Sequence, residues 1–305
     1  MKREIAVVGG GLAGFAAALG FAERGFDTVL LAPTAPADAR STALIGPSVE
    51  LMERIGVWPF LAAKTQAMTT MRIVDDTGSL FRAPTVEFRA SEIGRDSLGV
   101  NVLNADLLSA LREAATTVSD RLEIVEDGAA TLDMGEESAI LTTRSGQAIE
   151  VALVVAADGR NSLIRTATGI EMRTWAYPQS AIVLNFGHER SHDGVSTEFH
   201  RRSGPFTQVP MQGRRSSLVW VEEPEIADLV RDLDRAKLGS RIEANMHSML
   251  GAIEVEDGLQ VFPISGGHAT RLTAPRVALI GEAAHVVPPI GAQGLNLGLR
   301  DAAAI

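Results

Sequence analysis

The chain has 305 residues, enough for one large or two ordinary domains, and carries a formal net charge of −10. That charge argues against a nucleic-acid partner. The absence of cysteine excludes disulfides, thiolate zinc sites, thiol nucleophiles and thiol-linked cofactors.

Residues 5–22 carry no charge behind Met1, Lys2 and Arg3, and in outline they resemble a signal peptide or a membrane span. Glu4 dilutes the basic start, and Gly9, Gly10, Gly11, Gly14 and Gly20 would weaken a spanning helix. The run divides instead into a strand over residues 5–8, a turn, and an Ala-rich helix over residues 15–24. A second strand follows at residues 28–31. Gly9-Gly10-Gly11-Leu12-Ala13-Gly14 fits G-x-G-x-x-G between strand and helix, the setting in which it marks a dinucleotide site. Glycine permits the tight turn, the approach of a pyrophosphate and close helix–strand packing. Ala32 stands where an acidic residue would grip an adenosine ribose, which weakens a simple NAD reading.

Further along, the pattern predicts a helix over 47–55, a strand over 71–74, a turn at Asp76-Thr77-Gly78 and an amphipathic helix over 101–117. Short strands then lead into an apolar run at 151–155, followed by Asp158-Gly159-Arg160-Asn161-Ser162 and Arg165. From about residue 177 the pattern turns to β, with strands expected over 181–185, 196–200, 206–210 and 218–221. A charged helical segment over 225–250 and a strand over 259–262 come next.

The last stretch, residues 276–301, carries the densest signal. An apolar strand over 277–280 ends at Gly281, and Glu282 offers a carboxylate to hydroxyls. Pro288 and Pro289 fix an extended loop. Gly291 and Gly294 let a backbone approach a ligand closely as a helix begins, with its free N–H groups turned to something electron-rich.

Taken in order, G-x-G-x-x-G, Asp158-Gly159 with Arg165, and Gly281-Glu282 with Gly291-Ala-Gln-Gly294-Leu-Asn resemble the FAD-dependent aromatic hydroxylases of the para-hydroxybenzoate hydroxylase type. Within that group the chain is most similar to the ubiquinone-biosynthesis hydroxylases. The segments Asp38-Ala-Arg40-Ser-Thr-Ala-Leu44, LMERIGVW at 51–58, Gly204 to Pro210 and Ser217 to Trp220 support the likeness. The resemblance implies an α/β fold: a Rossmann-like FAD-binding domain (1–70, 98–175 and 264–305) with an inserted antiparallel β-sheet substrate domain (71–97 and 176–263). It implies a C-terminal segment beyond Ile305, where this chain stops. It also implies FAD as cofactor, NADH or NADPH as co-substrate, and hydroxylation of an aromatic ring, that of a ubiquinone precursor.

The roles implied for single residues follow the motifs. Gly9, Gly11 and Gly14, with Leu12 and Ala13, bind the pyrophosphate, and Arg40 and Asn104 lie along the cofactor. Asp158 and Gly159 lie near the pyrophosphate and ribose. Gly281 and Glu282 face the ribityl chain; the family usually has Asp where Glu282 stands. Pro288 sits beside flavin and substrate, and backbone at Gly291, Gly294, Leu295 and Asn296 faces the flavin pyrimidine. Val209, Pro210, Trp220 and Pro288 are the candidate substrate wall. No acid–base residue is nominated, because the chemistry belongs to the cofactor.

Two rival readings remain. One is another flavin oxidoreductase of the same fold, although the halogenase signature Trp-x-Trp-x-Ile-Pro is missing. The other is a non-catalytic flavin-binding partner in a biosynthetic complex. The partner expected is an aromatic small molecule, and a prenylated one would add contact with a membrane surface or a biosynthetic complex. The location expected is cytoplasmic, extending to the periphery of the inner membrane, although no amphipathic anchor stands out.

Other signals have plainer readings. His188-Glu189-Arg190-Ser191-His192 fits H-E-x-x-H, but Gly187 and Asp193-Gly194 flank it, so a polar hairpin loop is expected and no metal site is assigned. His285 reads as a structural histidine before a proton relay. Arg201-Arg202 and Arg214-Arg215 read as solvated hairpin tips before a steering patch for NAD(P)H.

Overall fold

The computed structural model describes residues 1–36 and 38–305. A six-stranded sheet runs in the order Thr273–Ala274, Val277–Leu279, Leu153–Ala156, Ile5–Val8, Thr28–Leu31, Leu122–Val125. All neighbours are parallel except the Thr273–Ala274 edge. The strands are apolar on both faces because both are covered. On one side pack the helices Leu12–Glu23, Asn104–Thr116 and Gln293–Ala304, through Phe15, Leu19, Leu107, Leu111 and Leu299. On the other lies a three-stranded antiparallel sheet, Ala129–Met134, Ala139–Thr143 and Ala148–Val151, with Leu141 and Ile149 in the shared core.

A nine-stranded sheet forms the second layer system. Its main path is His285–Val286, Gln260–Ala269, Met172–His188, Arg215–Glu222, Pro205–Met211, Val195–His200, Thr70–Asp75, Val86–Arg89, and Ile253–Val255 pairs beside Met172–His188. It is antiparallel apart from one parallel pair, Val195–His200 with Thr70–Asp75. One face is packed by the helices Pro224–Arg231 and Arg235–Asn245, against Ile182, Leu184, Leu218 and Trp220. A small sheet of Ser41–Ile45, Gly99–Leu103 and Gln66–Met68 stands beside these layers. The α/β class with a Rossmann-like sheet and a second large β-sheet is therefore as the sequence implied.

Four local expectations change. Residues 99–103 are a strand, and the helix begins only at Asn104. Val100, Asn101 and Val102 are all buried, so both faces of the strand are covered, and two β-branched residues suit a strand. The 151–155 run splits at Ala152 into an edge of the three-stranded sheet and a central parallel strand. The 225–250 segment is two helices, because Asp234 caps a new start by accepting from Lys237 N at 2.9 Å. The strand expected at 181–185 extends over Met172–His188, with its register shifted between Ala176 and Ser180, around Pro178.

Candidate functional site, a flavin cradle at the carboxyl ends of the parallel strands

Four loops meet where the parallel strands end, at Gly9, Ala32, Ala157 and Ile280. In open α/β sheets this edge is where ligands bind. Gly9 has φ +119°, and a Cβ there would stand 2.3 Å from Ala157 O. The first two motifs are thus in contact, and only glycine fits between them. A Cβ on Gly14 would lie 1.9 Å from Gly9 O. Gly11 is different: nothing lies within 4 Å of the place its Cβ would take. It caps Leu12–Glu23 in extended conformation, with no side-chain cap and no acidic residue in the first turn. The first intrahelical bond is Phe15 N to Gly11 O at 3.0 Å, so the N–H groups of Leu12, Ala13 and Gly14 are free to meet an anion. Ala32 is fully buried, and Gly10 packs so close that a Cβ there would meet Ala32 Cβ at 2.7 Å.

The second helix start mirrors the first. Gly291 and Ala292 both take left-handed φ, +61° and +54°, and Gln293–Ala304 begins without a side-chain cap or an acid in its first turn. Gly294 and Leu295 present free N–H groups. The Asn296 side chain is a structural pin. Fully buried, it accepts from Ser48 Oγ at 2.6 Å and Ile45 N at 3.1 Å, and donates to Ala43 O at 2.8 Å and Ala292 O at 2.6 Å. Pro288 and Pro289 lie half-buried just before this turn.

The two helix starts are joined through small residues. Gly281, at φ +57°, lies against Ala13 and Gly298; a Cβ on Gly298 would be 3.1 Å from Gly281 Cα and 3.4 Å from Ala13 Cβ. Asp301 fastens this joint by accepting from Gly281 N at 2.9 Å and pairing with His285 Nε2 at 2.6 Å. That hydrogen bond raises the His285 pKa above its ordinary value, against the opposing effect of burial. The pair holds the His285 ring by its Nε2.

Asp158 accepts from Ser162 Oγ and from Ile164 N, which shapes the turn through Gly159, at φ +80°. Arg165 is buried and donates to Ala283 O at 3.0 Å and Arg160 O at 2.6 Å, so it ties the second motif to the third. Glu282 is turned outward into a two-pronged pair with Arg160, at 3.1 and 3.2 Å. Arg40 and Asn104 share one cluster. Asp38 accepts from Arg40 Nε at 2.8 Å and from Asn104 Nδ2 at 2.8 Å, and Thr42 Oγ1 donates to Asn104 Oδ1 at 2.6 Å. Burial alone would raise the Asp38 pKa, but these hydrogen bonds outweigh it and hold the carboxylate ionised. Arg40 is held protonated by Asp38, and the strand that follows it, Ser41–Ile45, meets the second helix start through Asn296, so the cluster belongs to the same cradle.

The candidate substrate wall does not come together as expected. Phe206 pairs with Trp220, Pro210 with Ser216 and Val209 with Ser217, so Val209 lies on the opposite face from Pro210 and Trp220. Trp220 is 1% exposed among Phe206, Leu238 and Ile242, on the helix-packed face. The Val209 face carries Ser217 and Asn185, which reach Ser41 Oγ at 2.8 Å and Ala39 O at 2.9 Å beside the Asp38–Arg40 cluster. That face, and not the Trp220 face, looks toward the cradle.

H-E-x-x-H stands at the end of a strand and in the following loop. His188 meets Arg190 O and Ser216 Oγ, and His192 meets Met211 O and Gly194 N. All ring nitrogens are occupied, and both histidines are buried where a polar hairpin loop was expected. Arg201 and Arg215 are likewise not free tips: each pairs with a carboxylate, Asp76 and Glu256. Sequence reasoning missed Asp301 and the partnership of Arg160 with Glu282. Arg160 lay inside a named motif, but nothing in spacing links it to a residue so far along the chain.

Glycine cradles and unpaired N–H groups at both helix starts, with carboxylate and amide groups between them, fit a long ligand with a diphosphate at one end and an electron-rich ring at the other. A family model described as "FAD binding domain" matches residues 2–305. Ubiquinone hydroxylase UbiL of Rhodospirillum rubrum is 33% identical over 99% of this chain and 71% of its own length. The 3-demethoxyubiquinol 3-hydroxylase of Escherichia coli is 30% identical over 99% of this chain and 78% of its own length. Among solved structures, PqsL of Pseudomonas aeruginosa, a probable FAD-dependent monooxygenase, superposes with a TM-score of 0.83 at 20% identity, over 100% of this chain and 85% of that one. The fold is thus shared with that enzyme, and the family rests on the sequence relatives. The chain belongs to the FAD binding domain family, in the branch that holds the ubiquinone hydroxylases, and is an FAD-dependent monooxygenase.

Proposed function

We propose that this chain hydroxylates the aromatic ring of a ubiquinone precursor, with NADH or NADPH as reductant. One atom of dioxygen goes to the ring as hydroxyl, and the other leaves as water with the electrons of the nicotinamide. Bound FAD supplies electron transfer and oxygen activation. The chain's own residues bind, orient and exclude water.

In this reading the N–H groups of Leu12, Ala13 and Gly14 hold the pyrophosphate, with Gly9 and Gly11 clearing its path. Asp158 and Gly159 shape the loop beside it. Arg40 and Asn104, oriented by Asp38, lie along the cofactor. Glu282 takes the ribityl hydroxyls by exchanging Arg160 for them, which costs little because an exposed ion pair is worth about 1 kcal/mol or less. The N–H groups of Gly294 and Leu295, after the turn at Gly291, stabilise negative charge on the flavin pyrimidine, and Asn296 holds their helix in place. Pro288 and the Val209 face of the large sheet bound the substrate space. Residues 1–70, 98–175 and 264–305 serve the cofactor, and 71–97 and 176–263 the substrate. The supporting pattern is the parallel sheet in the first set and most of the nine-stranded sheet in the second. A prenylated precursor would bring the protein to a membrane surface. Among the described residues no helix is long and apolar enough to cross one.

The observation that carries the reading is the pair of uncapped helix starts, held against each other through Ala13, Gly281 and Gly298. The purified protein should take up FAD, and its NAD(P)H oxidation should accelerate when a short-tailed prenylated phenol is added. A product heavier by one oxygen completes the case. Oxidation that the phenol leaves unchanged, with no such product, would overturn it.

A further inference from the structure

The outer edge of the nine-stranded sheet is a hairpin of Thr70–Asp75 and Val86–Arg89. At its tip Leu80 and Phe81 are 92% and 89% exposed, and on its outer strand Val86 and Phe88 are 44% and 50% exposed. Large apolar side chains left in water at one place mark a contact surface. The charges around them set its chemistry. The inner carboxylates are spoken for: Asp75 accepts from Thr77 N and Ala83 N, and Asp76 pairs with Arg201. Among the described residues Arg82 and Arg202 form no ion pair, and Arg202 donates to Thr77 O within the tip. On the strands Arg72 and Arg89 share the single carboxylate of Glu87. Arg72, Arg82, Arg89, Arg201 and Arg202 stand there with Asp75, Asp76, Glu87 and Glu92, so on a chain of net charge −10 this edge is near neutral, and its apolar tip is flanked by Arg82 and Arg202.

Register connects the edge to the substrate side. Val86 pairs with Ile73 and Phe88 with Met71; Ile73 pairs with Glu198, Glu198 with Thr207 and Thr207 with Val219. Cross-strand partners share a face, so the apolar hairpin residues lie on the Val209 face, opposite Trp220 and its helices.

We propose that the tip formed by residues 76–85 docks this protein on an anionic lipid surface, with Leu80 and Phe81 entering the headgroup layer and Arg82 and Arg202 meeting lipid phosphates. The Met71, Ile73, Val86 and Phe88 side chains then begin a path along the face that looks toward the cradle, which continues past Ser196, Glu198 and Thr207. The use assigned to this path rests on the proposed prenylated substrate; the docking does not. Such an anchor is a hairpin, a form that a search for an amphipathic helix passes over.

The test is sedimentation of the FAD-loaded chain with vesicles of phosphatidylcholine alone, and with phosphatidylglycerol added. Binding should need the anionic lipid and weaken with salt. L80S/F81S should lower the partition coefficient by about tenfold or more, and R82Q/R202Q by about fivefold per charge. Both variants should keep FAD and oxidise NAD(P)H normally with a water-soluble phenol. In F81W, indole emission should shift to the blue on anionic vesicles. Wild-type protein that stays unbound, as it would if the patch received another protein, overturns the proposal, and so does L80S/F81S binding as wild type. Vesicle binding without hydroxylation would sink the proposed function and leave the docking intact; hydroxylation without vesicle binding would do the reverse.

Discussion

At the first turn of the cradle a Cβ on Gly14 would stand 1.9 Å from Gly9 O, whereas at the second turn the nearest atom to a Cβ on Gly294 is Val287 Cγ2, at 3.9 Å. Gly9 and Gly14 are glycine because the protein's own backbone fills the space. Gly11 and Gly294 have room for a methyl in the free protein. The same residue type thus answers to two demands, packing in one case and the approach of a ligand in the other. Only coordinates separate them, because G-x-G-x-x-G reads alike for both.

Substitutions can break or sharpen that distinction. Gly14→Ala carries the largest expected effect, a loss of about 3 kcal/mol in the flavin-free protein by urea unfolding, with FAD binding lost as well. Gly294→Ala should leave the flavin-free protein within about 1 kcal/mol of wild type, because alanine suits a first helical turn. Equal stability losses in the two variants would erase the contrast. Asn296→Ala comes next, at about 2 kcal/mol, since it strands Ser48, Ile45 N and Ala43 O in the interior; thermal unfolding reads it directly.

Gly11→Ala should barely move stability, within about 1 kcal/mol, yet lower FAD affinity by about tenfold, as flavin fluorescence titration would report. Unchanged affinity would mean that the open space beside Gly11 is not where the diphosphate lies. The smallest effect is electrostatic. The folded pKa of His285 is raised above its ordinary 6.5. The stabilisation from the pair with Asp301 is therefore fully present below that value and lost as pH rises through the folded one. In Asp301→Asn that part of the pH slope, above about pH 6.5, should vanish.

The parallel core was legible from short apolar runs and glycine punctuation, as at Ile5–Val8 and Thr28–Leu31. The cradle was legible because its parts are backbone: glycines, a helix start and a proline pair keep their meaning in sequence. Side-chain partnerships across the chain were not. Nothing in spacing pairs Asp301 with Gly281 N, or turns Glu282 toward Arg160, since each depends on how distant segments pack. The 101–117 helix failed at its start, as residues 99–103 pair as a strand with Ser41–Ile45 and Gln66–Met68 and the helix begins only at Asn104. The substrate wall failed by strand parity. Val209 and Pro210 are neighbours in sequence, and for that reason they face opposite ways.

The contact of Ala13, Gly281 and Gly298 has one more consequence. With no flexible side chain between them, the two helix starts are fixed at one separation, and the cradle behaves as a chelator. Once one end of a long dinucleotide is seated, the other is offered to its turn at a high effective concentration. AMP and FMN, the two halves of FAD, should each bind far more weakly than the whole. A side chain at Gly298 that pries the joint apart should cost affinity for the whole and leave that for the halves nearly untouched.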